Sequence, residues 1–444
     1  MPEIPLKDAD FDLDVSGIGG FFGDEESFAA MSSVHLVRGR RWFGWYNSPG
    51  SYFVAKRYGL LARSRIWDGL YPGPNIDPTS MLELDGKEGP RYVGAHSGTR
   101  IQKTGHLSYL LASHCSDLEV DYAAAAPATS DVHITVVHLD EFSKFPGYPI
   151  IPKDGMSPFD PVCIIPITAS LAAAVACAVF KDWFCFSTIL LGCFCNGISC
   201  VVIGSGKLKI VQPNSSPNSP PGDGILFNTS GRVVLLKGSE QTVSTITRGR
   251  FNLQYKSESR YHDIGLVSLA LTFQFLLQLF IVPQGELFGQ IMFLSTFAVS
   301  WMYNAYLASV DREDLQKKLL INNLLQKPTV RTVRLPKWTA LVTFSALILQ
   351  AGKNTRAILD EMIPTDTHVW RIVKDTIVKS IQRNQTPSDV LPEQNLEGLD
   401  EKELGLLRDM LEQASIGLDA AKKELDSVQV EKNEKRSGSA DHAV

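Results

Sequence analysis

Two apolar runs in close succession, Ile264–Val282 and Leu287–Ala308, constrain this chain more than any other feature. Neither contains Asp, Glu, Lys or Arg, and Pro283-Gln284-Gly285-Glu286 separates them as a turn. At about 1.5 Å per residue, each run is long enough as a helix to cross a hydrocarbon core of roughly 30 Å. The pair reads as a transmembrane helical hairpin. A second pair precedes it. Pro161–Phe180 and Trp183–Ile203 are apolar, with only Lys181-Asp182 between them. Their combined length exceeds one span, and charges at its centre mark a tight turn, because an unpaired charge in hydrocarbon is costly. The expected fold is an α-helical integral membrane protein with four transmembrane helices as two hairpins, 161–203 and 264–308.

The 444-residue chain carries a net charge of −5 and 44% apolar residues. So mild a charge gives no electrostatic reason to expect a nucleic-acid partner. The apolar fraction is ordinary for a globular protein, but it is concentrated between Pro161 and Ala308. Of the seven cysteines, all but Cys115 lie in the expected spans, where they read as small hydrophobes rather than a disulfide framework. Residues 1–33 are acidic and Gly-rich, without the basic start and apolar core of a signal peptide. A flexible acidic tail is expected there, and Asp8, Asp10, Asp12 and Asp14 have no strand or glycine turn to frame a cation site.

Residues 34–150 read as a soluble α+β domain. Within them Val132, Ile134 and Val136 alternate as in a half-buried strand. Arg40-Arg41-Trp42-Phe43-Gly44-Trp45-Tyr46 suits base stacking or a membrane interface, but core aromatics with a basic edge is the simpler reading. His96, His106, His114, His133 and His138, with Cys115 and Asp117, are metal-ligating residue types. No His-x-x-x-His or Cys-x-x-Cys pair occurs among them, and His133 and His138 point to opposite faces of a strand. Gly94-Ala95-His96-Ser97-Gly98 is not a nucleophile elbow. No catalytic, cofactor-binding or metal-binding residue is therefore expected.

In the first hairpin Ala169 with Ala173, and Ala172 with Ala176, place small residues four apart, and Gly192 and Gly197 add small surfaces for close helix contact. In the second, Gln274 and Gln278 share one helical face, and Ser295, Thr296, Ser300 and Asn304 offer interhelical hydrogen-bond partners. No Asp, Glu, Lys, Arg or His lies inside a span, as a proton relay would need. Residues 204–263 join the hairpins as a linker and small β-sheet. Gly204-Ser205-Gly206-Lys207 fails as a phosphate loop, because Val201 and Leu208 stand where glycine and Ser or Thr belong. Gln212–Asp223 is a Pro/Ser/Asn-rich linker. Ile225–Phe227 and Arg232–Leu236 flank Asn228-Thr229-Ser230-Gly231 as a β-hairpin, which Gln241–Thr247 and Arg250–Tyr255 are expected to extend. Thr247-Arg248-Gly249-Arg250-Phe251, then Gly289-Gln290, Ser300-Trp301 and Asn304, resembles uncharacterised multi-pass membrane proteins of mushroom-forming (basidiomycete) fungi across about Val234–Gln316. The resemblance implies a membrane architecture and a fungal source, and brings no catalytic residue with it.

Residues 309–429 are expected to form cytosolic helices. Asp311–Gln326 looks amphipathic. Trp338–Ala351 is apolar but short of the roughly 20 residues needed to span, so a buried or interfacial helix is expected. Val369, Ile372, Val373, Ile377 and Ile381 form another stripe. Leu404, Leu407, Leu411, Ala414, Leu418, Ala421, Leu425 and Val428 make a heptad seam suited to a protein partner, self-association or internal docking. Gly405 and Gly417 each weaken that helix by about 1 kcal/mol relative to alanine. Residues 430–444 read as a disordered tail. Lys and Arg flank the spans at Lys144, Lys153, Lys207, Arg248, Arg312 and Lys317, whereas the hairpin tips hold only Lys181. Positive charge favours the cytosol, which places both termini there. The expected function is a membrane-anchored scaffold or interaction protein in the lipid bilayer. The alternative is a small-solute transporter or channel subunit working as an oligomer.

Overall fold

The structure, a computed structural model, describes residues 22–125, 131–139, 160–390 and 399–440, apart from 214, 217, 229–231 and 259; for 431–440 it describes the backbone alone. In chain order the main elements are α1 (Asp24–Ser32), α2 (Ser51–Gly59), β1 (Arg91–Gly94), β2 (Arg100–Ile101), α3 (His106–Asp117), β3 (Tyr122–Ala123), β4 (Val132–His138), α4 (Ile164–Val179), α5 (Trp183–Ile203), β5 (Lys207–Val211), β6 (Gly224–Phe227) and β7 (Val233–Lys237). They continue with α6 (Glu240–Arg248), β8 (Arg250–Gln254), α7 (His262–Ile281), α8 (Leu287–Ala308), α9 (Arg312–Lys318), β9 (Thr329–Leu335), α10 (Trp338–Leu349), α11 (Thr355–Met362), α12 (His368–Arg383) and α13 (Glu401–Ala440). These sort into two compact units, 1–86 with 146–211 and 250–324, and 87–145 with 212–249 and 325–444. The stretch 34–150 is thus divided at residue 86, and the stretch 204–263 is shared between the units.

The first unit is helical. Pro161–Val179, Trp183–Ile203, His262–Gln284 and Leu287–Ser309 are long and apolar enough to cross a membrane. Their outward faces expose Ile165, Val175, Phe184, Phe194, Phe273 and Phe280, the inverse of a water-soluble bundle and the surface that lipid requires. Two shorter helices lie against them. The Phe22 ring, just before α1, meets Trp301 at 5.5 Å, and the Tyr52 ring of α2 meets Phe275 at 5.1 Å. Ser268 Oγ donates to Ala55 O at 2.6 Å. Asp24–Ser32 falls in the stretch expected to be a flexible tail. It is a helix because Ser27, Ala30, Met31 and Ser32 are buried; the Asp8–Asp14 row lies outside the described residues. β5 and β8 pair antiparallel from Lys207↔Gln254 to Val211↔Arg250. The helix expected over 311–326 is α9, which passes into a π-helical turn at Leu319–Leu324.

Near this unit's sheet, burial pushes the Asp85 carboxyl up to about 6, against a Gly86 backbone hydrogen bond and Arg250, which pull it down. The folded value lies above the unfolded one of about 3.9. The stability linked to Asp85 is therefore full below about pH 4 and is lost as pH rises through about 6. Asp85→Asn is expected to raise the thermal unfolding midpoint at about pH 7 and to leave it unchanged at about pH 4. Equal shifts at the two pH values would count against Asp85 as the titrating group.

The second unit is built on a seven-stranded sheet of order β2-β1-β6-β7-β4-β9-β3. β4 lies inside the sheet, between β7 and β9, with Ile134, Val136 and Val137 buried. It runs parallel to β7 (Ile134↔Val233 to His138↔Lys237) and antiparallel to β9 (Val132↔Leu335 to His138↔Thr329). The expected hairpin is present as β6 and β7, with Phe227 opposite Val233, but inside this larger sheet. Gln241–Thr247 does not extend it. That stretch is helix α6, because Ser239 caps it by accepting from Thr242 N and Val243 and Ile246 bury one face.

Helix α10 is the centre of this unit's core. Its side chains pack with Ile134, Val333, Leu335, Ile358, Ile372 and Ile377. Protein on all sides explains an apolar helix too short to span. Helix α12 buries the stripe Val369, Ile372, Val373 and Ile377. The seam residues Leu407, Leu411, Ala414 and Ala421 of α13 join the same core. Helix α13 continues to Ala440, through residues where disorder was expected from 430 on.

Candidate functional site

The polar residues of the first unit converge on one irregular segment, Phe43–Gly50. Gly39 and Gly50 take left-handed φ values of 79° and 71°, which let the chain turn in after Val37 and start α2 at Ser51. Tyr46 and Asn47 are fully buried. Their neighbours Ser170, Gly192 and Thr296 lie near the middle of α4, α5 and α8, so non-helical backbone reaches deep among apolar helices. That is tolerable only if protein groups satisfy it. Asn196 Nδ2 donates to Gly44 O (2.8 Å) and Tyr46 O (3.2 Å), and Asn47 N donates to Ser170 Oγ (3.1 Å). Pro49 has no N–H, and its carbonyl accepts from Ser27 Oγ at 2.7 Å.

Small residues make the room. A Cβ on Gly192 would overlap the Asn47 amide, and one on Gly197 would overlap the Trp45 ring. These glycines therefore serve the 44–47 segment, where close contact between helices was expected. Ala173 is buried as the small-residue pattern requires, whereas Ala172 is exposed.

A directed chain of hydrogen bonds runs through the site. Thr296 Oγ1 donates to Phe293 O (2.6 Å) and accepts from Asn47 Nδ2 (2.9 Å). Asn47 Oδ1 accepts from Gln278 Nε2 (3.2 Å), and Gln278 Oε1 accepts from Gln274 Nε2 (3.3 Å). A second chain starts at Arg40, which is 2% exposed. Its Nη2 donates to Tyr46 Oη (2.8 Å), which donates to Asn304 Oδ1 (2.8 Å), and Asn304 Nδ2 donates to Ser27 and Ser48. The guanidinium also lies over the Tyr46 and Tyr303 rings at 5.5 and 5.7 Å. Gln274, Gln278, Thr296 and Asn304 thus face inward as their spacing suggests. Thr296 and Asn304 bond to the 27–48 region; the glutamines bond to each other and to Asn47. Ser295 is exposed and bonds within its own helix. Sequence reasoning missed Asn47, Ser27 and Ser48, which lie outside every periodic pattern. The expectation of core aromatics with a basic edge holds for Tyr46 only: Arg40 is buried beside it, whereas Trp42 and Trp45 are exposed.

At the other end of these helices Asp182 is buried. Its Oδ1 accepts from Cys185 N and its Oδ2 from Glu286 N, both at 3.0 Å. One carboxylate thus caps α5 and holds the turn before α8. Asp182→Ala is expected to lose about 1–3 kcal/mol in thermal unfolding, from a lost cap and an orphaned N–H. Asp182→Asn, which keeps an acceptor, is expected to recover part of the loss; a neutral Asp182→Ala would remove this role.

In the second unit the histidines do not converge. Among the described residues no three His, Cys, Asp or Glu side chains could hold a metal together. His96 Nε2 and Lys237 Nζ approach Asp223 Oδ2 at 3.6 and 3.7 Å, and Asp223 Oδ1 accepts from Gly238 N at 2.8 Å. This ties together the ends of β1, β6 and β7 at one end of the sheet. His106 stacks on Tyr109 at 6.1 Å. Burial pushes the Cys115 thiol up to about 12, which makes it a poor nucleophile or ligand. Burial, then Arg232, lowers the His133 imidazole. A groove of about 370 Å³ is lined by Glu88, Tyr109, Ser113, Ser116 and Asn228. No family model, curated protein or solved structure matches the chain.

Proposed function

We propose that the chain is a membrane-anchored scaffold or interaction protein, with its four apolar helices as two hairpins and both termini in the cytosol. One observation carries the anchor reading. The polar groups among the apolar helices bond mainly to one another and to Phe43–Gly50, around a small cavity of about 10 Å³ whose lining is half apolar (Met31, Pro49, Val54 and Leu271) and half polar (Ser48, Ser51, Asn196 and Gln274). Such a core favours a locked bundle over a conduit. The Lys and Arg bias of the flanks supports the orientation. The working surface is then the second unit, which contains none of the four long apolar helices. The resemblance over 234–316 fits the same membrane reading.

Protease protection of tags placed in 212–223 and after residue 440, in sealed vesicles, tests the orientation. Both tags are expected on the cytosolic side, and tags on opposite sides would overturn it. With that orientation Asn228 and Asn384 carry no glycan; Asn214 lies outside the described residues. The transporter alternative draws on the same polar core. Solute flux through the purified protein in vesicles, lost on Asn47→Leu, would replace the scaffold reading. Deleting 400–429 does not test partner binding, because Leu407, Leu411 and Ala414 belong to the core.

A further inference from the structure

The Thr296–Asn47–Gln278–Gln274 chain has a direction. The Thr296 hydroxyl is spent on Phe293 O, so each amide in turn donates toward Thr296 and presents its oxygen to the next. The last acceptor, Gln274 Oε1, is buried and has no hydrogen-bond partner among the described residues. Leaving such a group unpaired costs about 1–3 kcal/mol. Gln274 lines the cavity of about 10 Å³, and so do Ser48, Ser51 and Asn196. Ser51 opens α2, whose first turn has no side-chain cap. Asn196 Nδ2 and Ser48 Oγ are already bonded to backbone carbonyls and Met31, Pro49, Val54 and Leu271 complete the lining, so the uncapped start of α2 at Ser51 and the Gln274 oxygen share a space the size of one water.

We propose that this cavity is a binding site for a single water molecule, which donates to Gln274 Oε1 and accepts from the donors at the start of α2. The two sides decide the species. A cation would meet the positive end of a helix. An anion would meet the carbonyl oxygen of Gln274. Only a molecule that both donates and accepts satisfies both, and no charged side chain lines the space to favour an ion. The water completes the polar chain whose direction Thr296 sets.

A density map of the full-length protein in lipid nanodiscs, at a resolution that shows ordered solvent, tests this. One peak within hydrogen-bond distance of Gln274 Oε1 is expected. An empty cavity, or a Gln274 amide turned with Nε2 into it, would overturn the assignment. So would an anomalous bromide or rubidium signal in the cavity of soaked crystals. In Gln274→Met, which removes the acceptor, the peak is expected to vanish while Asn47 stays bonded to Thr296. A peak unchanged in that variant would show that Gln274 does not hold it.

Discussion

Replacing Asn47 with leucine is expected to destabilise the apolar bundle by about 2–4 kcal/mol, the largest effect of any single side chain in it. Leucine keeps the branch at Cγ but is bulkier, so overpacking against Gly192 adds to the loss. The substitution strips Gln278 Nε2 of its Asn47 acceptor and Thr296 Oγ1 of its donor, both deep in the unit. Each group keeps one partner, Thr188 O for Gln278 Nε2 and Phe293 O for Thr296 Oγ1, so each loss falls toward the lower end of the roughly 1–3 kcal/mol of a buried unpaired group. Hydrogen bonds between membrane helices average nearer 0.6 kcal/mol, because the unfolded helices find other partners. Asn47 stands at the high end because its groups face protein on every side. The measurement is reversible unfolding of the full chain in micelles. Gly192→Ala, which pushes a Cβ into the same amide, is expected to lower stability in the same direction. A loss below about 0.5 kcal/mol for Asn47→Leu would mean that the segment contributes little to holding the helices.

Two glycines of one helix are expected to respond with opposite sign. Gly405 has open space around it, whereas a Cβ on Gly417 would overlap the Ala340 backbone. Gly405→Ala should stabilise α13 by up to about 1 kcal/mol through helix propensity alone. Gly417→Leu should cost about 3 kcal/mol, because the obstacle is main chain of α10 and cannot rotate away. Hydrogen exchange of the α10 amides reads both: faster in Gly417→Leu, unchanged or slower in Gly405→Ala. The same sign at both positions would show that helix propensity, and not the crossing of α13 over α10, governs the seam.

The features legible without the fold are those written in local periodicity. The four long apolar helices follow from composition and length. Strand β4, the β6–β7 hairpin, the α12 stripe and the α13 seam follow from alternation or from steps of three and four. In each case the pattern says which face must leave water, and neighbours in the chain carry it. Even the inward facing of Gln274 and Gln278 follows from their spacing of four.

What those patterns hold no record of is who stands on the other side. Gln278 bonds to Asn47, 231 residues away, and nothing in the composition around Asn47 sets it apart from an ordinary loop. Gly192 reads as a helix-contact glycine until the chain path brings the Asn47 amide against it. Gln241–Thr247 passes for a strand until Ser239 caps it as a helix. The apolar run Trp338–Leu349 fits an interface as well as a core until β4, β9, α12 and α13 enclose it. Local sequence sets which surfaces must be buried, since transfer from water depends on the side chain alone. The closing of distant loops decides which donor meets which acceptor, because a hydrogen bond needs both partners within about 3 Å and only the tertiary path brings them there.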